Sequence, residues 1–389
     1  MLPSVRAAMS LLALVWCSVD VLAAPATAPS TKRSATTTGE ADAFDELRRA
    51  WYAGGQHGMP KPDAVQRMRA NYDAHPKDPE AQWWMAILQK QGLVQTDKTT
   101  AELFATAALG GQQIAIARLG RSLLTGEGVK ADPEKGLRIL NEVLAKGESE
   151  AAFELGRAYL EGAGTIAPDS TKAEQYLRKA VEMGDARGRY LLGQWYARIK
   201  HDFPSAFKEF ELAAQGGNTD AMVNLVEGYR DGKGGMTMNP KLALFWMEKG
   251  ARAGKVSLQR DLAKALINQY GHVALTAQNR AGARLLLELA VKSNDSEAMR
   301  LLAEQYLTAE LGYDYDPAKA IELLQRASDA GDLQGTFELG KLHVEGIVLT
   351  RDVAKGTQLV RLAADGGCEP AKRYYVRLAS PKPATSPTK

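Results

Sequence analysis

The residues best suited to metal or acid–base chemistry are five histidines, His57, His75, His201, His272 and His343. None has a second ligand at i, i+4, the spacing that puts two imidazoles on one helix face, so a zinc site is not expected. Two glycine clusters, Gly126-Glu127-Gly128 with Ala131 and Gly162-Ala163-Gly164 with Ala167, match the outline of a dinucleotide loop. Such a loop must follow a β-strand, and here the pattern before each is helical. Gly250 to Lys255 lacks both the spacing of a phosphate-binding loop and the hydroxyl residue after its lysine. Asp314 and Asp316 lack the remaining loop ligands and closing glutamate of a calcium site, so Asp316 is read as a helix cap. There is no G-x-S-x-G elbow for a nucleophilic serine. The expectation is a chain with no catalytic residue, no cofactor and no metal.

What remains is the architecture that would present a surface. From Ala151 to Gly184, apolar residues fall at helical spacing twice. Ala151, Leu155, Gly156 and Tyr159 form the first stripe, and Ala173, Tyr176, Leu177 and Ala180 the second. Gly156 inside a helix costs about 0.5–1 kcal/mol relative to alanine, which implies that another helix lies against it. Glycines at 162 and 164 end the first helix, Asp169 or Ser170 caps the second, and Gly184 closes it. Each hairpin therefore has an apolar side that only neighbouring hairpins can cover.

With Gly156 as origin, equivalent positions are Ala86, Gly120, Gly156, Gly193, Val226, Ala263, Ala303, Gly340 and Val376, spaced 33 to 40 residues apart. Leucine precedes the origin in seven successive copies, from Leu119 to Leu339. Three second helices open with Asp132-Pro133, Asn239-Pro240 and Asp316-Pro317, a cap followed by a proline whose missing N–H costs nothing there. Leu119-Gly120, Thr125-Gly126-Glu127-Gly128, Asp132, Ala145-Lys146-Gly147, Leu155-Gly156, Tyr159, Lys172-Ala173 and Gly184 resemble the Sel1-like repeat, a tetratricopeptide-like family. The resemblance implies an all-α fold, a right-handed superhelical solenoid of helix-turn-helix repeats, over about 79–379. The copy around Ser257 to Val291 departs from it by lacking the turn glycines.

Hydrophobic residues make up 45% of the chain and charged residues 24%, with a net charge of +3 and no basic run. Nucleic acid is therefore not an expected partner, since phosphate binding needs clustered Lys and Arg. Residues 1–24 read as a signal peptide, with Arg6, an apolar run from Ala7 to Val19 and small residues at Ala23 and Ala24. That run is too short to span a membrane. Trp16 stands where a lipoprotein signal places a small residue before its cysteine, so lipid attachment at Cys17 is not expected, and cleavage is expected after Ala23 or after Ala26. The protein would then be periplasmic or secreted, with no transmembrane segment. Residues 25–39 read as a disordered tether, 40–78 as an N-terminal capping helical pair (Phe44 to Tyr52 and Asp63 to Tyr72), 79–379 as the repeat solenoid and 380–389 as a disordered tail. Cys368 is left as the sole cysteine, read as a buried small residue.

One column suggests a working surface. Just after the origin stand Arg121, Arg157, Gln194, Glu227, Lys264, Glu304, Lys341 and Arg377, all long and polar. Three residues earlier lie Arg118, Glu154, Asn224, Asp261 and Glu338, interrupted by Leu191 and Leu301. The column is either a solvated face or, if first helices line the concave side as the resemblance implies, a polar groove with Leu191, Leu301 and Trp195 as apolar anchors. The expected function is a non-catalytic scaffold of the bacterial envelope that binds another protein or peptide. A scaffold for exopolysaccharide synthesis or secretion, similar to the alginate-secretion lipoprotein, is the alternative. An envelope hydrolase would need a nucleophile, base and orienting group that the sequence does not assemble.

Overall fold

The computed structural model describes residues 62–379 apart from Gln91, Gly128 and Leu275. The expected signal peptide, tether, Phe44 to Tyr52 helix and tail lie outside the described residues. The chain divides into two compact units within one helix, at Trp246 and Met247. Among the described residues the structure is helical, with one isolated bridge, Ala163 to Ile166. The first unit contains α1 (Pro62–Ala74), α2 (Pro79–Lys90), α3 (Thr100–Leu109), α4 (Gln113–Thr125), α5 (Pro133–Ala145), α6 (Ser149–Glu161), α7 (Ser170–Glu182), α8 (Ala186–Trp195), α9 (Phe203–Gln215) and α10 (Thr219–Asp231). Helix α11 (Pro240–Arg252) crosses the division. The second unit continues with α12 (Val256–Ile267), α13 (Ala277–Lys292), α14 (Ser296–Thr308), α15 (Pro317–Asp329), α16 (Leu333–Glu345), α17 (Val353–Asp365) and α18 (Glu369–Ala379).

First and second helices alternate in the expected register, and each junction has a local cause. Nine residues before every origin from Gly120 to Val376, the chain turns from a second helix into the next first helix through a left-handed residue. These are Gly111, Gly147, Gly184, Gly217, Gly254, Asn294, Gly331 and Gly367. At Gly147 a β-carbon would meet nothing within 4 Å, so glycine is needed there for its backbone freedom and not for space. Asn294 is the one substitute, and asparagine tolerates this conformation better than other side chains.

The other junction is pinned by one recurring hydrogen bond. The backbone N–H of the second helix's cap donates to the carbonyl three residues past the origin: Asp132 to Leu123, Asp169 to Tyr159, Asp202 to Tyr196, Asn239 to Tyr229, Asp316 to Tyr306 and Asp352 to His343, at 2.7–3.1 Å. The cap's side chain then accepts from the third helical N–H, as Asp169 does from Lys172 at 3.0 Å and Asp316 from Lys319 at 3.1 Å. Together the two bonds satisfy one of the open carbonyls at the end of the first helix and one of the open N–H groups at the start of the second.

First helices exit six residues past the origin through a left-handed residue at Gly126, Gly162, Gly232, Gln269, Ala309 and Gly346. In the Gly193 copy this position is Ile199, whose branched β-carbon excludes that conformation. The helix instead runs on through a π-helical turn, Tyr196–Lys200, until His201 takes the left-handed geometry at φ 55°.

Burial follows the two stripes. Ala151, Leu155, Ala173, Leu177 and Ala180 are fully buried, Tyr159 and Tyr176 are half-buried, and their rings stack with centroids 5.7 Å apart. A β-carbon at Gly156 would lie 2.7 Å from Leu177 Cδ2 and 3.1 Å from its backbone N. The close approach inferred from the sequence is thus that of α6 to α7 within one hairpin. Met68 and Tyr72 of α1 pack with Trp83, Trp84, Leu103 and Phe104, which places the Asp63 to Tyr72 helix against the first described hairpin.

Candidate binding surface on the first helices

In the first unit the polar column runs over α4, α6, α8 and α10, and Arg121, Arg157, Gln194 and Glu227 are all half-buried. Beneath Arg121 and Arg157 lies Glu154, 1% exposed. Arg157 donates to Glu154, and Arg121 Nε stands 3.7 Å from it while reaching Glu127 at 3.6 Å. Burial pulls the Arg121 guanidinium below its ordinary pKa, against the attraction of Glu154. A hydrogen bond from Lys90 holds the Glu127 carboxyl below the usual carboxylate range. Gln194 Nε2 donates to Tyr190 Oη at 2.9 Å, and Lys233 pairs with Glu227.

Deeper in the same unit, Arg118 of α4 contacts Glu150 of α6 at 2.5 Å and Glu154 at 3.4 Å. Arg187 of α8 pairs with Glu150 from the other side and with its own cap, Asp185. Its guanidinium lies 4.3 Å over the Phe153 ring. Burial would raise the Glu150 pKa, but Arg118 and Arg187 outweigh it and hold the carboxyl at about 2. Burial acts to lower Arg187, yet Glu150 and Asp185 carry it well above its ordinary value. Three successive first helices are therefore joined by buried ion pairs, an arrangement that is costly to break once formed.

The second unit repeats the scheme nearer to water. Arg260 of α12 reaches Asp295, the cap of α14, at 2.8 Å and Glu297 at 3.2 Å; Lys264 meets Glu297 at 2.9 Å. Arg300 of α14 lies 3.8 Å from Asp332, the cap of α16, and 3.6 Å from Glu338. Burial raises the Glu338 carboxyl. Lys264, Glu304, Lys341 and Arg377 are exposed, with Lys341 3.8 Å from Glu345.

Several expected neighbours of the column are placed otherwise. Leu191, Leu301 and Trp195 are 6%, 8% and 2% exposed, so they belong to the packed interior and offer no apolar anchor. The Trp195 indole donates to the Ser170 carbonyl at 3.0 Å, which satisfies it there. Arg118 and Glu154 are likewise buried because adjacent first helices close over them. His343 occupies the tyrosine position and is buried, and burial lowers its pKa. Asp316 caps α15. Cys368 is half-buried, its thiol 3.4 Å from Gln334 Oε1, because it sits in the turn before α18 and not on an inward stripe. Among the described residues no three His, Cys, Asp or Glu side chains are grouped to hold a metal ion, and no helix is long and apolar enough to cross a membrane.

The buried ion pairs were not anticipated. Their signal is present in the sequence: six residues before the origin, Glu150 is followed one copy later by Arg187, and two before it, Arg118 by Glu154. At these two registers the opposite charges of consecutive copies mark a contact between them.

The Sel1 repeat model matches residues 113–141, 149–185, 219–255, 296–332 and 334–368. The chain is a Sel1-repeat protein. The two long stretches between matches, 186–218 and 256–295, are the hairpins carrying Ile199 and Gln269 at the exit from the first helix. Two solved structures share the fold. A protective antigen of uropathogenic Escherichia coli strains, displaying an SLR fold, aligns at TM-score 0.59 and 24% identity over 81% of this chain and 68% of that one. A Sel1 repeat protein from Oxalobacter formigenes aligns at TM-score 0.54 and 21% identity over 92% of this chain and 98% of its own. In sequence, the chain is 29% identical over 178 residues to the alginate biosynthesis protein AlgK of Pseudomonas syringae, covering 45% of this chain. It spans 37% of the length of that relative. Sel1 repeats mediate protein–protein interaction.

Proposed function

We propose that this Sel1-repeat protein is a non-catalytic scaffold of the bacterial cell envelope, exported by its N-terminal signal and holding another protein or peptide along its first helices. The observation that supports this most is the second unit's column. Lys264, Glu304 and Lys341 stand exposed at one register on α12, α14 and α16, above a layer of ion pairs that already fixes the helices beneath. Lys264 also pairs with Glu297 of α14, whereas Lys341 reaches Glu345 of its own helix; exposed polar side chains held on rigid helices suit recognition of a polar segment. In the first unit, Arg121 and Arg157 serve both layers, so Gln194 and Glu227 would carry more of the contact there.

A photocrosslinking side chain placed at Lys264, Glu304 or Lys341 should trap a protein in cells, whereas the same side chain at Lys319 on a second helix should not. Absence of adducts from all three, or identical adducts from Lys319, would refute the reading. Similarity to AlgK supports a more specific version, in which the partner belongs to exopolysaccharide synthesis or secretion. That version requires the trapped protein to be a component of such a system.

A further inference from the structure

The repeats serve as their own comparison, and one edge of the first unit breaks their pattern. In the hairpins that begin at Gly193 and Val226, the turns from first to second helix and the following helix expose Ile199, Phe203, Met238, Leu242 and Phe245 by 46%, 36%, 66%, 38% and 45%. These account for five of the twelve large apolar side chains exposed among the described residues, within 47 residues of sequence. The fold does not require them. Where Leu242 stands, third in its helix, other copies have Lys135, Lys172, Ser205, Lys319 and Lys355; where Phe245 stands, they have Arg138, Gln175, Lys208, Glu322 and Gln358. Ile199 replaces a small or left-handed residue and forces the π-helical turn.

Two of these side chains meet at one turn. A β-carbon at Gly234 would lie 2.7 Å from Phe203 Cδ1, and one at Gly232 would lie 3.5 Å from Met238 Cγ, so both flank the Gly232–Gly235 turn. Leu242 is the residue whose N–H the Asn239 cap accepts, and Phe245 follows it one turn later. Around them the charge is one-sided. Residues 198–208 and 230–242 hold six Lys and Arg against Asp202 and Asp231, and one of the six, Lys233, is paired with Glu227. Asp202 is spent as a cap and Asp231 pairs with Arg230. Arg198, Lys200, Lys208 and Lys241 are exposed.

Apolar tips on turns, ringed by cations, fit a flat surface that is anionic outside and apolar beneath. A groove for a partner helix would instead gather its apolar residues along a cleft. We infer that this edge docks the protein on an anionic phospholipid bilayer, with Ile199, Phe203, Met238 and Leu242 entering the headgroup boundary and Arg198, Lys200, Lys208 and Lys241 meeting lipid phosphates. This inference is independent of the column on the first helices.

Vesicle flotation tests it with the purified protein and three probes: vesicles containing phosphatidylglycerol, vesicles of phosphatidylcholine alone, and the former in high salt. The protein should float with the anionic vesicles and be released by salt. Two variants should each weaken binding about tenfold or more, I199S/M238S/L242S by losing insertion and K200Q/K208Q/K241Q by losing attraction. Unchanged melting by circular dichroism shows that either variant is folded, and the lysine variant alters only exposed charges. Failure to float with anionic vesicles, equal flotation with neutral ones, or variants that bind as wild type would each overturn the inference. So would capture by this edge of an acidic protein in a sample where vesicles are ignored, since the patch would then be a protein interface.

Discussion

Replacing Glu150 by glutamine tests whether the ion pairs joining α4, α6 and α8 stabilise the fold. Glu150 is 6% exposed and lies between Arg118 and Arg187. Its carboxyl titrates at about 2 in the folded protein against an ordinary value of 4.5. Because the folded value is depressed, the stabilisation is complete above pH 4.5 and is lost as pH falls toward 2. At 1.36 kcal/mol per pH unit the charged carboxylate contributes about 3 kcal/mol near neutrality, comparable to the roughly 3–5 kcal/mol that breaking a buried pair costs. E150Q should therefore melt about 6–12 °C below wild type at pH 7, taking roughly 2–4 °C per kcal/mol for a unit of this size. At pH 3 the same linkage leaves about 1.4 kcal/mol, so the gap should shrink to less than half. Thermal denaturation followed by circular dichroism at both pH values decides the matter. Equal stability at pH 7 would show that Arg118 and Arg187 are satisfied without Glu150, and a gap that does not close in acid would show that the carboxylate's charge is not what stabilises the fold.

Leu155→Ala opens a cavity in a fully buried site and should cost about 2–5 kcal/mol in denaturant unfolding. Two glycine-to-alanine changes separate backbone freedom from space. Gly147→Ala meets no atom within 4 Å and should cost only the left-handed penalty of about 1–2 kcal/mol. Gly164→Ala places a β-carbon 2.3 Å from the Leu124 carbonyl oxygen and should be clearly worse when the two melting curves are compared. Asp169→Ala removes the cap of α7 and should cost about 0.5–2 kcal/mol, seen as faster amide exchange in the first turn of that helix.

The helical register was legible because its determinants are local. Glycine nine residues before most origins, an Asx cap on most second helices, and a leucine before seven of the origins act through neighbouring residues, so one chain displays them repeatedly. Depth was not legible. Arg121 looks like solvated surface in a helical projection, yet the neighbouring first helix brings Glu154 beneath it. Leu191 and Leu301 fall on the same projected face as that polar row and are nonetheless covered by adjacent hairpins. A helical wheel knows the direction in which a side chain points but not what the next copy places there. Ile199 shows the opposite case, in which one side chain changes the backbone: a branched residue at a left-handed position lengthens the first helix by a π turn.

The alternation of charge between copies also bears on how a chain made of near-identical parts assembles in order. Apolar stripes on all hairpins resemble one another, so nothing in them forbids a hairpin from docking on a neighbour once removed, a characteristic misfolding route of repeat proteins. If α4 skipped its neighbour and met α8, Arg118 would face Arg187 where it should find Glu150. Two guanidiniums would then be buried together without a carboxylate between them. In these three hairpins the ion pairs thus give each an address, and their order is enforced by the penalty for arriving at the wrong one.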